Sequence, residues 1–346
     1  MKFFKKSQIE IGINWIFVLI AGSIIVLFFL SLAFAQKRIS DVEISRLSSD
    51  TIYRSMNTAL LSDTYYNEIK RLGNFQWETI CIGNFSGYYF NKVQKEVPFI
   101  FFAPSKSNGG DLYIWSLKWK NSYPLTNIVY LLFSNNKIII KRSGFLEEFC
   151  KNISRYFHSG GNVVCVNEID DQLVSNLNRE NILTMVVVTD LSDTLTFNDL
   201  KGKFRNIKEK DLMLLKVGGT MNEGNITFIS NRNSETYNYV ERTELIGAIV
   251  SADVDFYRCM IQRRMLLNSF VAEIYRKKSS ELSKLGGTCQ AIYLSLNHTF
   301  NTIIAMEKTG EYLTDDSARR EYLNNIRNQM NSLLSNLGTY NCELII

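Results

Sequence analysis

Residues 11–35 read IGINWIFVLIAGSIIVLFFLSLAFA, and this stretch decides the architecture of the chain. It carries no charge, and its clearly polar side chains are Asn14, Ser23 and Ser31. As a helix that rises about 1.5 Å per residue it is roughly 37 Å long, against about 30 Å of bilayer hydrocarbon. A buried core helix of this length is expected to be amphipathic, whereas this one is apolar on all sides. We therefore predict a transmembrane helix over residues 11–35.

Positive charges lie on both sides of this stretch. Lys5 and Lys6 precede it, and Lys37 and Arg38 follow it, so the count of flanking cations does not orient the helix. A short basic tail before a hydrophobic run is, however, the form of an export signal or signal anchor. We expect a cytoplasmic tail over residues 1–10, a single pass through the cell membrane, and a soluble region outside the cytoplasm.

The residues just before the apolar run carry a family resemblance. Lys5-Lys6-Ser7, followed by Gln8-Ile9-Glu10, resembles the class III signal peptide of archaeal type IV pilin-like proteins. The resemblance implies a cut just before the hydrophobic helix, which is kept as an assembly core, and an acidic residue at the fifth mature position. A cut between Lys5 and Lys6 makes Glu10 the fifth residue, and a cut before Gln8 makes it the third. The match covers about a tenth of the chain and implies no biochemical activity.

A secretory signal is the competing interpretation of the same region. Ala33-Phe34-Ala35 before Gln36 has the small-x-small form of a cleavage site. Secretory signals contain a hydrophobic region of about 7–15 residues, and the present run is much longer. The length therefore favours a retained anchor.

Beyond the apolar run, residues 36–70 are predicted to continue as an amphipathic stalk helix. Apolar residues recur there at helical spacing among Ser, Asp and Arg: Ile44, Leu47, Ile52, Met56 and Leu60. Such a stripe requires a partner, which is either the protein's own domain or a neighbouring copy.

The next segment, residues 71–250, is predicted to be a β-rich to α/β domain. DLYIWSLKW (111–119) alternates as a strand does, and Asn135-Asn136 predicts a hairpin turn into KIIIKR. After Phe145, helical and strand-like stretches alternate, with ILTMVVVTD (182–190) as a buried strand. This alternation favours an α/β sheet with some parallel pairing.

Residues 251–346 are predicted to be helical and packed on that domain. Apolar residues recur at helical spacing, Gly286-Gly287 breaks the first helix, and Asp315 or Asp316 begins a later helix that Gly338 ends. Three such helices form a hairpin or bundle. The predicted fold class is mixed α+β and α/β.

Composition excludes some classes of protein. The net charge of +5 comes from 39 basic and 34 acidic residues that are interspersed, which gives no reason to expect a nucleic-acid partner. The six cysteines contain no C-x-x-C pair and only His158 and His298 accompany them, so neither a zinc site nor another cofactor is predicted. Disulfides and buried free thiols both remain open, without a pairing, for Cys81, Cys150, Cys165, Cys259, Cys289 and Cys342.

The strongest candidate site follows the buried strand. Asp190-Leu-Ser192-Asp-Thr194 resembles the metal-binding D-x-S-x-S loop of von Willebrand A-type domains, whose hydroxyl and carboxylate oxygens suit Mg²⁺. An ordinary strand-to-helix turn with a capping Ser or Thr is the preferred interpretation.

Three weaker signals for a binding or modification site occur elsewhere in the sequence. Lys216-Val-Gly218-Gly219-Thr220 suggests a phosphate-binding turn but lacks the spacing of known phosphate loops, so a hairpin connection is preferred. The basic run KGKFRNIKEK (201–210) predicts a solvated loop, with lipid headgroups or acidic polymers as the alternative partners. N-x-S/T sequons that would permit glycosylation begin at Asn84, Asn152, Asn225 and Asn297.

These observations favour a non-enzymatic, membrane-anchored envelope protein, either pilin-like or a surface interaction module. Its predicted partners are the lipid bilayer and, through the stalk, other copies or envelope proteins. No histidine lies beside a plausible nucleophile in the sequence, which disfavours an enzyme. The alternative is a membrane-tethered small-molecule receptor or enzyme that uses the carboxyl ends of the α/β strands.

Overall fold

The structure is a computed structural model that describes residues 4–62, 66–82, 85–121, 123–156, 162–231 and 233–343. The chain divides into two compact units, the first ending at Asp50 and the second beginning at Thr51. This division falls inside the first helix.

Helix α1 runs without interruption from Phe4 to Leu61. In the first unit its large apolar side chains between Val18 and Phe34 are exposed, from 40% for Leu32 to 70% for Phe34. Of the helices in the described ranges, α1 is the one long and apolar enough to cross a membrane.

The last turns of α1 belong to the second unit, and there the helix is amphipathic as predicted. Ile52, Met56 and Ala59 are fully buried in the core of that unit. Nearer the apolar run, in the first unit, Ile44 and Leu47 are 58% and 59% exposed. The predicted apolar stripe thus divides into an exposed part and a part buried in the protein's own domain.

Two small sheets form much of the second unit. Sheet A contains, in spatial order, β1 (Tyr66–Arg71), β7 (Asp111–Asn121), β8 (Tyr123–Phe133) and β5 (Phe101–Phe102). Sheet B contains β4 (Val93–Glu96), β3 (Phe85–Phe90), β2 (Gln76–Ile82) and β6 (Lys106–Asn108). Because β1 pairs antiparallel with β7, the helix ends at Leu61 and is shorter than the predicted range of 36–70.

The end of α1 is held by a side chain of sheet A. Asn127 on β8 donates from Nδ2 to the carbonyl oxygens of Leu60 at 2.9 Å and Ser62 at 2.7 Å. These carbonyls would otherwise lack a partner at a helix C-terminus. Asn127 therefore couples the helix end to the sheet.

Sheet C is the α/β part of the fold. Its spatial order is β10 (Val163–Val166), β9 (Asn136–Lys141), β11 (Thr184–Asp190), β12 (Leu212–Gly219), β13 (Gly224–Ile229) and β14 (Ser234–Tyr239). The first four strands are parallel, and β13 and β14 are antiparallel. The predicted alternation of helix and strand with parallel pairing is confirmed.

The hairpin predicted at Asn135-Asn136 is wrong, because β8 lies in sheet A and β9 in sheet C. Both asparagine side chains are buried and bond to residues distant in sequence. Asn135 accepts at Oδ1 from the Ser107 hydroxyl at 2.8 Å and donates from Nδ2 to the Asn108 carbonyl at 2.9 Å, both on β6 of sheet B. Asn136 donates to the Thr184 hydroxyl at the start of β11. The turn joins three sheets instead of closing a two-stranded hairpin.

Helices cover both faces of sheet C. The connecting helices are α2 (Phe145–Tyr156), α3 (Asp171–Leu177) and α4 (Phe197–Lys203), followed by α5 (Arg242–Ser251). Ile139, Val187 and Leu214 face a small core that they share with α3 and α4. The neighbouring strand residues, such as Ile140 and Val188, face the main core with α2. Alternate residues of each strand therefore enter different cores.

The C-terminal region is helical, as predicted. It contains α6 (Val254–Ser283), α7 (Gln290–Thr309), α8 (Asp316–Glu321), a π-helical turn (Tyr322–Arg327) and α9 (Asn328–Thr339). Asp315 caps α8 by accepting from the backbone N–H of Ser317 at 2.7 Å, as the sequence indicated. Gly286-Gly287 lies between α6 and α7.

Three disulfides resolve the open question of the cysteines. Cys81 on β2 pairs with Cys259 on α6, Cys150 on α2 pairs with Cys165 on β10, and Cys289 pairs with Cys342. The Cα–Cα distances of 6.2, 6.2 and 5.8 Å lie in the range that a disulfide requires. One bridge fastens the start of α7 to the chain after α9, and another fastens α6 to sheet B.

A charged cluster is buried where α5, α6 and α7 meet. Nη1 of Arg264 on α6 lies 2.7 Å from Oε1 of Glu244 on α5, and Nη2 lies 3.8 Å from Oε2 of Glu307 on α7. The hydroxyls of Tyr312 and Tyr322 donate to Glu307 at 2.9 and 3.1 Å. All three charged side chains are at most 1% exposed. The helical region is thus organised around one guanidinium.

We predict that Arg264→Met lowers the free energy of unfolding by about 3–5 kcal/mol, because it leaves two buried carboxylates without their cation. Urea denaturation followed by circular dichroism measures this loss. The matched control is Lys277→Met on the same helix. The Lys277 side chain is 71% exposed, so this substitution should change the free energy of unfolding by less than about 1 kcal/mol. Equal, small losses in both variants would contradict the role assigned to Arg264.

Candidate functional site

The parallel strands of sheet C form a topological switch point. The chain passes from β9 to β10 on one side and then crosses to β11 on the other side of β9. Connections therefore leave the carboxyl ends of β9 and β11 in opposite directions, and in open α/β sheets ligands bind in the crevice at this point. Lys141 ends β9 and Asp190 ends β11.

The structure brings three residues predicted from the sequence, Asp190, Ser192 and Lys216, to the switch point. Their polar atoms bond to neighbouring groups. Asp190 accepts at Oδ1 from the backbone N–H of Ser192 at 2.9 Å and from its hydroxyl at 2.7 Å. Lys216 donates from Nζ to the Asp193 carbonyl oxygen at 2.6 Å. Nζ of Lys141 lies 2.6 Å from Oδ2 of Asp193. At the carboxyl ends of the parallel strands of sheet C, these residues thus form a network of paired charges and turn hydrogen bonds.

The preferred interpretation of the Asp190–Thr194 loop, a strand-to-helix turn, is confirmed. The cap of α4 is Thr196, whose hydroxyl accepts from the Asp199 N–H at 3.2 Å. Thr194 is exposed. Among the described residues, no group of three or more His, Cys, Asp or Glu side chains is placed to hold a metal. Two lysine ammonium groups close to Asp193 also make this edge electrostatically unfavourable for Mg²⁺.

Asp193 is the most strongly held carboxylate of the network. Burial alone would raise the pKa of the Asp193 carboxyl, but the bonds from Lys141 and from the Leu195 backbone, with the charges of Lys141 and Lys216, outweigh it. Its pKa therefore lies below the ordinary value of 3.8. A carboxyl whose pKa is lower in the folded state than in the unfolded state stabilises the fold when the pH is above its unfolded-state pKa. This stabilisation is lost as the pH falls through the folded-state pKa.

We predict that Asp193→Asn lowers the free energy of unfolding by roughly 1–2 kcal/mol at pH 7, since it removes the charged partner of Lys141. The difference from the wild type should shrink as the pH falls through the folded pKa of Asp193, which lies below 3.8, because the wild-type carboxyl then becomes neutral as well. Denaturant titrations at pH 7 and at a series of acidic pH values measure it. Asp171→Asn, at an exposed position on α3, serves as the control and should change stability by less than about 0.5 kcal/mol. A difference that stays constant with pH would contradict the charge pairing.

The turn at Lys216–Thr220 is a hairpin, as preferred from the sequence. It joins the antiparallel strands β12 and β13, and the Thr220 N–H donates to the Glu223 carbonyl at 2.8 Å. Gly219 has a φ of 110°, which a residue with a side chain rarely adopts. Lys216, the lysine that would contact a phosphate, donates to the Asp193 carbonyl oxygen.

The basic run 201–210 has two different environments. Lys201 pairs with Glu209, and Lys203 donates to the Ile169 carbonyl at 2.6 Å, so these cations serve local structure. Lys208 and Lys210 are exposed and line a surface groove. The predicted solvated loop is confirmed for this second pair.

That groove was not predicted from the sequence. It runs beside edge strand β6 and contains adjoining cavities of about 310 and 440 Å³. Charged residues common to both cavities are Glu78, Lys106, Lys210 and Asp211. Its acidic end includes Asp253, where burial raises the pKa of the carboxyl. Within the lining, Nζ of Lys106 lies 3.5 Å from Oε1 of Glu78. The lining comes from sheet B, the segment just before β12 and the start of α6, which sequence spacing does not bring together.

The remaining predicted positions fall in several environments. Of the sequons, Asn152 lies in α2, Asn225 in β13, and Asn297 in α7, where its Nδ2 donates to the Arg276 carbonyl at 3.2 Å. Two positions, Asn84 and His158, lie outside the described residues. For the processing residues Lys5, Lys6, Gln8 and Glu10, the structure describes the α1 backbone but not the side chains.

Comparison with known proteins finds no matching family model, no similar curated protein and no similar solved structure.

Proposed function

We propose that this protein is a non-enzymatic envelope module held in the cell membrane by α1, with the unit that begins at Thr51 displayed outside the cytoplasm. The observation that carries the proposal is the uninterrupted exposure of large apolar side chains along α1 between Val18 and Phe34. Each such side chain left in water costs about 1.5–3 kcal/mol, whereas a bilayer accepts all of them.

The three disulfides support the extracytoplasmic side. All cysteines in the described part of the chain are bridged, at Cα–Cα distances of 5.8–6.2 Å. Disulfides persist in oxidising compartments and are rare in a reducing cytosol. A domain with this bonding is expected to be assembled after export.

We predict that placing charge in the apolar run detaches the protein from membranes. In the double variant Ile24→Arg/Leu27→Arg, each arginine at the centre of a spanning helix costs about 2.5–3.5 kcal/mol. The full-length wild type should stay in the membrane pellet after alkaline carbonate extraction, and the double variant should appear in the supernatant. The control Leu285→Arg changes a residue 77% exposed after α6 and should leave the protein in the pellet. Extraction of the wild type, or retention of the double variant, would count against an integral anchor.

A pilin-like role is the more specific form of this proposal. It is supported by the basic Lys5-Lys6 pair and Glu10 just before the apolar helix. Such processing predicts a mature protein that begins at Lys6 or Gln8, which N-terminal sequencing and intact mass of the membrane-extracted protein would detect. A mature protein that begins at Met1 would remove the pilin-like role and leave a plain anchor.

A further inference from the structure

The groove beside β6 extends beyond the two charged cavities. A third cavity, of about 460 Å³, adjoins the 310 Å³ cavity and shares Gln76, Asn91 and Asn108 with it. Among the described residues it shares no lining with the cavity at the start of α6. The three cavities therefore follow one another, with the 310 Å³ cavity in the middle. Each volume lies within the range of about 300–1,000 Å³ that small-molecule sites occupy, so the row suits a chain of linked units.

The third cavity is lined by side-chain amides, and we call it the amide cavity. The described part of its lining carries no charge. Its amides belong to Asn74, Gln76, Asn91, Asn108 and Asn181. An amide offers a donor and an acceptor side by side, and a sugar hydroxyl both donates and accepts. The amide cavity therefore suits a neutral sugar.

The middle cavity is rich in lysine, and we call it the lysine cavity. Three ammonium groups, of Lys106, Lys208 and Lys210, line it together with two carboxylates. Lys106 is paired with Glu78, but within the described ranges the ammonium groups of Lys208 and Lys210 make no hydrogen bond or ion pair. Exposed ammonium groups of this kind form charge-assisted hydrogen bonds with a carboxylate or a sulfate. Tyr89, which is 37% exposed, adds an aromatic ring to the same lining.

The cavity at the start of α6, the acidic cavity, has the opposite charge balance. Two ammonium groups line it with four carboxylates, those of Glu78, Asp211, Asp253 and Asp255. Carboxylates accept hydrogen bonds from hydroxyls but repel anions. An anionic group of a ligand is therefore favoured in the lysine cavity and disfavoured in the acidic one.

We propose that this groove binds a polysaccharide in which anionic and neutral sugars alternate. The carboxylate or sulfate of one sugar lies at Lys208 and Lys210, and neutral sugars occupy the amide cavity and the acidic cavity. The assignment of the polymer to the cell envelope rests on the proposed display of this domain outside the cytoplasm. The chemistry of the groove does not depend on that display.

An extended peptide fits the groove less well, because the free edge of β6 is already bonded. Asn135 donates from Nδ2 to the Asn108 carbonyl at 2.9 Å, and Asn136 donates from Nδ2 to the Lys106 carbonyl at 3.4 Å. A peptide that adds to a sheet as a further strand needs such edge carbonyls. Recognition in the groove is therefore left to side chains.

Calorimetric titration of the full-length protein in detergent micelles tests the ligand class. The probe is a hyaluronan tetrasaccharide, in which glucuronate and N-acetylglucosamine alternate. The controls are uncharged chitotetraose and the peptide tetraglutamate. We expect the probe to bind roughly tenfold or more tightly than either control, and added salt to weaken its binding. Absence of probe binding, or equal binding of chitotetraose or tetraglutamate, would overturn the proposal.

Two double variants locate the bound anion. Lys208→Ala/Lys210→Ala should raise the dissociation constant of the probe by roughly tenfold or more. Lys277→Ala/Lys284→Ala removes the same charge from side chains 71% and 64% exposed outside the groove lining, and should change it by less than about twofold. Asn181→Ala, at an exposed position of the amide cavity, should raise it by roughly threefold.

Circular dichroism spectra of these variants should match the wild type, because the substituted side chains are exposed. Equal effects of the two lysine pairs would overturn the assigned site. Binding in micelles does not depend on membrane sidedness. A missing saccharide complex would therefore remove the groove assignment and leave the anchor intact, whereas carbonate extraction of the wild type would remove the anchor and leave the groove assignment intact.

Discussion

The exposed apolar surface of α1 requires an apolar environment. Between Val18 and Phe34 the helix presents large hydrocarbon side chains on every side. Exposing so much apolar surface to water is unfavourable. The same helix continues to Leu61, and in its last turns Ile52 and Met56 face a protein core. One continuous helix therefore changes from uniformly apolar to one-sided within its length. We interpret this change as the transition from a lipid environment to a folded domain.

In the domain that begins at Thr51, buried polar groups with defined partners join elements that are distant in sequence. At the crossing from β8 to β9, buried Asn135 bonds to β6 of sheet B and buried Asn136 bonds to β11 of sheet C. Buried Arg264 neutralises Glu244 and lies near Glu307, so three helices share one guanidinium. Buried groups of this kind disfavour alternative packings, because a displaced partner would leave a charge or an amide unpaired. The Cys81–Cys259 disulfide also fastens α6 to sheet B across a sequence separation of 178 residues.

Sequence reasoning succeeded where the signal is local. The apolar run, the buried strand ending at Asp190, the hairpin at Gly219 and the cap at Asp315 depend on residues within a few positions of one another. It failed at Asn135-Asn136, because turn chemistry suggested a hairpin while the side chains bond to β6 and β11. The cysteine pairing, the Arg264 cluster and the groove beside β6 combine segments that are far apart along the chain. The switch point had a partial signal in the alternating helices and strands, but strand order is a tertiary property.

Protease protection in sealed vesicles shows on which side of the membrane the domain lies. Right-side-out vesicles and inverted vesicles, prepared from cells that make the full-length protein, are treated with a protease and the surviving fragments are identified by mass. We expect digestion of the region after Thr51 in right-side-out vesicles and its protection in inverted ones. Protection in right-side-out vesicles with digestion in inverted ones would place the domain in the cytoplasm and contradict the proposed topology.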